Sequence, residues 1–420
     1  MNRRPQCSAQ KTAARAVAIA LITLGTASCG AGETIPDGIQ RRDSNGVSIV
    51  ENHSPQWDTA DAWRLSSEPL LSLGEVSNDP AYEFTEVVDA RLGPDGGIVA
   101  ADLMQAEVRF FSQDGKVRRI FGRAGEGPGE FQRIQSVGVI GDSTWVFDRG
   151  LQRVTWIPTS EGDAAVVNLR PPWRALLRGR LADGTWLVTP LFDLPAPGEQ
   201  IDGGIHRGRL PLLRYESDGQ LRDTISMIPG TEMVYVSQDG ELRPWGLPPF
   251  GRRPAVAVGG TGIYVGDQNR FEIREYDLSG QLIRIIRLPD ADLTISDEEY
   301  TTVLEGRVAG APAQFRSVVR SILYDLPRAT RRPAYADFVV DHGGNIWVAS
   351  LPAPDRPHRG RNLWGSNWRV FSPDGAWLGT VTLPQHFQPT DIGDDTILGI
   401  FVDSLGVNQV RLYELTKRTR

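Results

Sequence analysis

Short apolar runs that end in a polar residue recur along this chain, and each follows a turn rich in glycine and aspartate. An uninterrupted apolar run of this length is typical of a strand buried on both faces. Six copies of a strand–turn–strand unit predict an array of small sheets, and hence an all-β fold of the β-propeller type. The clear copies are Ile98–Asp102, Thr144–Asp148, Ile263–Asp267 and Ile346–Ser350, and the looser copies lie at 186–189 and 399–403.

The segment 86–122 shows the repeating unit most completely. Four strands are predicted there, at 87–92, 98–102, 107–111 and 116–121, and the Asp-Gly turn before the last strand is a strong hairpin signal. Second strands of the units are spaced about 45 residues apart where nothing is inserted, which is the size of a propeller blade. We therefore expect six four-stranded antiparallel blades, with second strands near residues 98, 145, 186, 263, 346 and 398.

The last unit lacks an outer strand, because the chain ends soon after the strand at 409–414. A matching strand precedes the first unit: Leu70–Leu73 followed by Tyr82–Phe84 parallels the end of that unit at 119–131. Pairing of 70–73 with 409–414 would remove the exposed edges of an open array. We expect this N-terminal strand to close the ring.

The N-terminal segment 1–28 has the pattern of an export signal. Four basic residues precede an apolar run at 16–24, which is too short to span a bilayer. The ending Ser28-Cys29-Gly30 resembles the lipobox of bacterial lipoproteins, and this resemblance implies that Cys29 is acylated; ordinary cleavage after Ser28 is the alternative. We expect a lipidated cysteine and flexible tether at 29–46, and a propeller from 47 to 420.

Charge and cysteine content limit the function classes. With 45 Lys and Arg against 52 Asp and Glu, the net charge is −7, which argues against a general nucleic-acid binder. The chain has only two cysteines, and Cys7 lies inside the predicted signal, so the mature chain has no internal disulfide. We expect a monomer exported to the cell envelope that touches the membrane only through its lipid anchor.

Two further motifs carry a family resemblance. The glycine-rich stretch Arg123–Phe131 and the strand Glu107–Phe111 resemble the repeats of NHL-type propellers, and of the six-bladed propeller lipoproteins of bacteria, over roughly 47–415. The resemblance implies an architecture and no particular chemistry. Thr189-Pro190 and Ser350 depart from the pattern, because they stand where other repeats end in aspartate.

Long insertions fall where propeller topology places the loops of one face. The segment 296–326 has helical spacing, with Ser296 and Glu299 as a capping start. It predicts a helix that either covers this face as a lid or packs on the rim. The predicted apolar stripe consists of Phe315, Val318, Val319, Ile322 and Leu323, and the insertions lie at 122–131, 190–210, 229–252, 289–333 and 351–367.

Arginine and tryptophan in these insertions form the candidate binding set. Arg together with Trp is typical of binding hot spots, and would suit a protein partner or an anionic glycan. The alternative is solvated loop charge with tryptophan packed between blades. The set comprises Arg207, Arg209, Trp245, Arg252, Arg253, Arg331, Arg332 and Trp364, with Arg328, Arg356, Arg359, Arg361 and Trp368 nearby in sequence.

The aspartates that end equivalent strands are the candidate metal ligands. Asp102, Asp148, Asp267 and Asp403 would either bind a cation such as Ca²⁺ around the channel or cap their own turns through backbone N–H groups. Repetition favours capping, because a turn requirement recurs in every blade. The five histidines have no metal-binding spacing. The leading hypothesis is a non-catalytic envelope propeller without a cofactor; the alternative is a lactonase-like hydrolase or lyase with a divalent cation.

Overall fold

The computed structural model describes most of the chain from residue 38 onward. The predicted export signal, Cys29, Arg356, Arg359 and Arg361 lie outside the described residues. The described ranges are 38–58, 61–75, 79–158, 162–171, 173–191, 203–260, 262–353 and 364–417.

Strands dominate these ranges, and four of them precede the first complete sheet: β1 (Ile39–Ser44), β2 (Val47–Asn52), β3 (Arg64–Leu65) and β4 (Leu71–Leu73). The first sheet contains β5 (Val87–Leu92), β6 (Ile98–Asp102), β7 (Glu107–Phe111) and β8 (Val117–Phe121). The second contains β9 (Ile134–Ile140), β10 (Ser143–Asp148), β11 (Arg153–Pro158) and β12 (Ala165–Asn168). The third contains β13 (Ala175–Arg180), β14 (Trp186–Pro190), β15 (Gly204–Tyr215), β16 (Leu221–Gln238) and β17 (Glu241–Gly246).

Three more sheets follow along the chain. The fourth is built on β18 (Ala255–Gly259), β19 (Gly262–Gly266), β20 (Glu272–Tyr276) and β21 (Leu282–Arg287). Two helices then intervene, α1 (Asp297–Gly310) and α2 (Arg316–Asp325), and single 3-10 turns occur at Pro80–Tyr82 and Ala313–Phe315. The fifth sheet contains β22 (Phe338–Val340), β23 (Ile346–Ala349), β24 (Asn367–Phe371) and β25 (Trp377–Thr382). The sixth is built on β26 (Phe387–Ile392), β27 (Thr396–Val402) and β28 (Asn408–Thr416).

The apolar runs form strands because each sheet is buried on both faces. Along β6, Ile98 and Ala100 pack toward the sixth sheet, while Val99 and Ala101 pack toward the second. Side chains on a strand alternate between its faces, so a strand between two cores needs an apolar residue at every position. This is the physical reason for the repeated pattern. A separate core lies between each pair of successive sheets, and one lies between the sixth sheet and the first.

The predicted N-terminal pairing is confirmed. Strand β4 runs antiparallel to β28, with Leu73 opposite Val410 and Leu71 opposite Leu412. Leu73 is buried, in the core between the sixth and first sheets. The N-terminal segment therefore supplies the outer strand that the sixth sheet lacks. Successive packed sheets joined in this way have the arrangement of a β-propeller.

The boundary of the predicted tether is wrong. Residues 39–46 form a hairpin with β2, and β2 pairs in parallel with β21 at the outer edge of the fourth sheet. Ile49 and Val50 are buried by this pairing. Strand β1 carries mostly exposed polar residues, so its sequence resembles that of a linker. It forms a strand because its hairpin partner β2 pairs with an available sheet edge, and this pairing outweighs the low strand propensity of β1.

The third sheet also departs from the four-strand expectation. Residues 204–210 of the first predicted insertion and most of 229–252 are strand, because β15 and β16 extend as one long hairpin and β17 adds a fifth strand. The extension breaks its register between Arg207 and Arg209. These residues belong to no repeat, so the repeat pattern contains no signal for them.

The predicted helical insertion is confirmed in position but consists of two helices. The side chain of Ser296 accepts the backbone N–H of Glu299 at 3.1 Å, as a helix cap does. The predicted apolar stripe is only partly buried: Leu323 is fully buried, whereas Phe315 is 54% and Val318 55% exposed. The buried side of the pair consists of Tyr300, Leu304, Val308 and Leu323, packed with Trp245 and Phe250.

Candidate functional site

A cavity of about 420 Å³ lies beside α1, on the face that carries the insertions. Its walls come from α1, from the segments around 247–253, 291–293 and 332–336, and from residues 350–353 that follow β23. Leu247, Phe250, Leu293, Val303 and Leu351 form much of its apolar wall. The polar and charged lining residues include Arg253, Gln268, Asp292, Glu299, Arg307, Arg332 and Arg369.

Helix α1 forms one wall through a single side of the helix. Glu299, Val303 and Arg307 are spaced four residues apart and therefore lie along one face. The neighbouring face buries Tyr300, Leu304 and Val308. Helix α1 therefore packs on the propeller and also lines the cavity. It combines features of the two alternatives expected from the sequence, a helix packed on the rim and a lid over this face.

Two of the cavity arginines are committed to protein partners. Arg332 forms an ion pair with Glu299 at 2.6 Å. Arg307 donates to the backbone oxygens of Leu247 and Pro248, and burial lowers its pKa from the usual value. These contacts hold α1 against the segments on either side of it. They also keep both positive charges at the wall of the cavity.

Arg369 differs from the arginines at the equivalent position of other sheets. Arg109, Arg274 and Arg369 all lie opposite the residue two places before the end of their sequence repeat, at Asp102, Asp267 and Ser350 respectively. Arg109 donates to the backbone oxygens of Ala81 and Glu83, and Arg274 pairs with Glu272 at 2.8 Å. Within the described ranges, the contacts of the Arg369 guanidinium are with aromatic rings alone: those of Phe271 at 5.4 Å and Trp377 at 6.0 Å.

The environment of Arg369 leaves its charged guanidinium available to an anion. Burial lowers its pKa, yet a guanidinium remains charged at neutral pH. The two aromatic rings hold the side chain in place and leave its N–H donors without a carboxylate among the described residues. A half-buried guanidinium with uncommitted donors binds a carboxylate or phosphate strongly, because such hydrogen bonds are charge-assisted.

The structure brings only part of the predicted arginine–tryptophan set into this cavity. Arg253 and Arg332 line it. Trp245 packs beside α1, and Trp364 packs edge-on against the buried Trp368 at 5.2 Å. Arg331 is exposed in a short bridge with Thr294. The two tryptophans therefore serve packing.

The remaining arginines of the set are used within the protein. Arg207 donates to the backbone oxygens of Gly230 and Asp267, and Arg209 donates to that of Met227. Arg252 pairs with Glu232 at 3.0 Å. Arg328 pairs with Asp297 and lies over the ring of Tyr300.

The strand-ending aspartates cap turns. Asp102 accepts the backbone N–H groups of Thr85, Glu86, Met104 and Gln105. Asp148 accepts those of Gln132, Arg133, Gly150 and Leu151 in the same way.

The other two aspartates make fewer contacts of the same kind. Asp267 accepts from Asn269, and Asp403 accepts from Leu405 and Val407. In the part of the chain that the structure describes, no three His, Cys, Asp or Glu side chains form a metal-binding group. All four carboxylates accept backbone N–H groups, as the capping interpretation expects.

Sequence reasoning missed Arg307, Arg369 and Gln268. Arg369 lies inside a repeat, where its type matches Arg109, so no local signal separates the two. Arg307 follows Glu299 by eight residues on the predicted helix, and that spacing would have placed it on the same side. Arg307 lies within the predicted insertion 289–333 but was not included in the candidate set, and Arg369 lies just beyond the insertion 351–367.

Comparisons with known proteins identify similar folds. No family model matches the chain, and no curated protein matches it. A Bacteroides fragilis protein described as exported is similar over 88% of this chain and 99% of its own, with 12% identity and a TM-score of 0.46.

Two further solved structures are similar at the same level. A member of the DUF4221 family from Bacteroides vulgatus has 10% identity and a TM-score of 0.48, covering 85% of this chain and 99% of its own. Virginiamycin B lyase from Staphylococcus aureus has 11% identity and a TM-score of 0.41, covering 84% and 99%. Likenesses at this level assign no function.

No helix within the described ranges has the length and apolar character needed to cross a membrane.

Proposed function

We propose that this protein is a non-catalytic propeller of six blades that binds a small organic anion with an apolar body in the cavity beside α1. The observation that carries the proposal is Arg369. Its counterparts Arg109 and Arg274 are engaged by protein acceptors, whereas Arg369 faces the cavity with ring contacts alone among the described residues. Arg109 and Arg274 therefore have a structural role in their own sheets that Arg369 does not share.

The cavity lining defines the ligand class. Four arginines stand against Asp292 and Glu299, and Glu299 is paired with Arg332. The excess positive charge favours an anion. Leu247, Phe250, Val303 and Leu351 offer apolar surface for the rest of the ligand. A volume of about 420 Å³ falls within the range of small-molecule sites.

The proposed ligand, a small organic anion, differs from the protein partner or anionic glycan expected from the sequence. Of the predicted arginines, Arg207, Arg209 and Arg252 are bound to backbone oxygens or carboxylates of the protein itself. The uncommitted guanidinium lies in a concave site, which admits a small molecule better than an extended polymer. Arg207 and Arg252 would then support the wall of the site and make no contact with the ligand.

We further propose that the propeller works in the cell envelope, held there through Cys29. The support is the export pattern of residues 1–28 and the Ser28-Cys29-Gly30 ending. An anchored receptor for a small anion would capture it or present it to a neighbouring membrane protein.

Thermal unfolding with matched ligand pairs tests the proposed function. 3-Phenylpropionate and octanoate are compared with the neutral alcohols 3-phenylpropanol and octanol. A ligand present at a hundred times its dissociation constant stabilises the protein by ~2.7 kcal/mol. We expect the acids to raise the melting temperature more than the alcohols. Equal shifts for acids and alcohols, or a shift with heparin alone, would reject a small-anion site.

A further inference from the structure

Ser350 lines the cavity at the position where four other repeats carry aspartate. In the first two sheets this aspartate, Asp102 or Asp148, caps its turn by accepting backbone N–H groups. The hydroxyl of the half-buried Ser350 has no hydrogen-bond partner among the described residues, and its backbone groups alone are bonded, to Asn367 and Gly365. The fifth sheet therefore offers the cavity a hydroxyl where other sheets have a carboxylate committed to capping.

Ser350 and Arg369 share one face of the fifth sheet. In the pairing of β23 with β24, Arg369 lies opposite Val348, and the N–H of Ser350 continues the pairing by donating to the oxygen of Asn367 at 2.9 Å. Residues two apart on a strand point to the same face, so Ser350 and Arg369 are diagonal neighbours, roughly 7 Å apart. Val348 belongs to the core between the fourth and fifth sheets. Both side chains therefore lie on the face toward the fourth sheet.

Arg253 reaches the same cavity from the fourth sheet, two residues before β18. Its backbone N–H donates to Oε1 of Gln268 at 2.9 Å, and Nε2 of Gln268 donates to the oxygen of Ala336 at 2.7 Å. Gln268 is 2% exposed, so this buried amide fixes the backbone of Arg253 against the cavity wall. Among the described residues, the guanidinium of Arg253 forms no hydrogen bond or ion pair, although its charge opposes the rise that burial causes in the pKa of Asp337.

Two uncommitted guanidinium groups and one uncommitted hydroxyl thus line a single cavity of about 420 Å³. The other two arginines in its wall are already bound, Arg307 to backbone oxygens and Arg332 to Glu299. A carboxylate would offer these groups one negative charge and two oxygens. A phosphate monoester carries between about 1.5 and 2 negative charges at neutral pH and has three strong acceptor oxygens. The phosphate therefore matches the charge and the donors of the cavity more fully.

We propose that the ligand of this cavity is a phosphate monoester with an apolar body. Arg253 and Arg369 bind the phosphate from the fourth and fifth sheets, and the hydroxyl of Ser350 donates to one of its oxygens. This inference rests on the proposed function. Ser350 is then a specificity-determining residue, because an aspartate at this position would place a negative charge beside the phosphate and repel it.

Titration calorimetry with 2-phenylethyl phosphate, 2-phenylethyl sulfate and 3-phenylpropionate tests the inference. The sulfate has the shape of the phosphate but only one negative charge. The wild type should bind the phosphate about tenfold more tightly, or better, than either of the other anions. Arg253→Gln should lose most of this preference, whereas Arg209→Gln should bind as the wild type does, because Arg209 donates to Met227 away from the cavity. Equal affinities for phosphate and sulfate in the wild type, or an undiminished preference in Arg253→Gln, would overturn the inference.

Two variants of Ser350 separate charge from size. Ser350→Asp restores the residue of the other repeats, and Ser350→Asn has nearly the same size without the charge. We expect Ser350→Asp to weaken binding of 2-phenylethyl phosphate by about a hundredfold or more, and Ser350→Asn to remain within about tenfold of the wild type. Equal losses in the two variants would overturn the role of Ser350, whether they arise from crowding or from misfolding.

The same titrations distinguish failure of the inference from failure of the proposed function. If the wild type binds 3-phenylpropionate as tightly as 2-phenylethyl phosphate, the site takes small anions without selecting phosphate, and the inference alone fails. If neither ligand binds, the proposed function is rejected, and the inference with it.

Discussion

His342 Nε2 lies 2.8 Å from Oδ1 of Asp391, and this contact joins the fifth sheet to the sixth. The other oxygen of Asp391 accepts the N–H of Leu92, at 2.9 Å, from the first sheet. One carboxylate therefore links three successive sheets, and it lies on β26, at the edge of the sixth sheet opposite the one that the N-terminal strand completes. His342 lies in the turn between β22 and β23, so the contact ties this turn to the neighbouring sheet.

The His342–Asp391 contact predicts pH-dependent stability. The hydrogen bond with Asp391 raises the pKa of His342 above its usual 6.5. A raised pKa in the folded state contributes stability that is complete below the unfolded-state value and is lost as the pH rises through the folded-state value. We expect the free energy of unfolding to decline from about pH 6.5 upward, measured by urea denaturation at stepped pH.

His342→Gln should remove this decline. The matched control is His53→Gln, because His53 faces Asp290, whose side chain is 70% exposed. Burial tends to raise the pKa of Asp391, but His342 and Arg91 hold this pKa below its usual value overall. The contribution of Asp391 to the free energy of unfolding is therefore lost only as the solution becomes acidic. An unchanged slope in His342→Gln would contradict the assignment.

The N-terminal strand predicts a sharp difference between two leucines. Leu73 is 4% exposed and pairs opposite Val410, whereas Leu70 is 58% exposed. Leu73→Ala should cost about 2–5 kcal/mol in the free energy of unfolding, as core truncations do. Leu70→Ala should stay within about 0.5 kcal/mol of the wild type. Similar losses for both variants in denaturant unfolding would argue against the role of β4 in the sixth sheet.

The capping role of Asp148 predicts a stability effect without calcium dependence. Asp148→Asn replaces an acceptor of four backbone N–H groups by a neutral amide. This variant should lower the free energy of unfolding by about 1–3 kcal/mol. Asp142→Asn, at an exposed turn position of the same sheet, is the control. Millimolar Ca²⁺ should leave the melting temperature of the wild type unchanged. A calcium-dependent rise that Asp148→Asn abolishes would restore the metal alternative.

The repeat pattern predicted the sheets because its physical cause is local: a strand such as β6 faces a core on each side and needs apolar residues throughout. The pairing of Leu70–Leu73 was predictable for the same reason, since its sequence matches an outer strand. The long hairpin of β15 and β16 was not, because its residues belong to no repeat and carry Pro229 and Gly230 within a strand.

The candidate site was predictable in location but not in its residues. The insertions do line the cavity, and Arg253 and Arg332 belong to it. Arg369, however, is indistinguishable from Arg109 in the sequence, and only the fold shows which of them meets backbone acceptors.

Titration calorimetry with 3-phenylpropionate on the wild type, Arg369→Gln and Arg274→Gln measures whether Arg369 binds an organic anion. Arg274 occupies the equivalent strand position but is paired with Glu272. We expect Arg369→Gln to lose about 1.5–3 kcal/mol of binding free energy, roughly ten- to a hundredfold in affinity, while Arg274→Gln binds as the wild type does. Unchanged affinity in Arg369→Gln, or equal losses in both variants, would contradict the account.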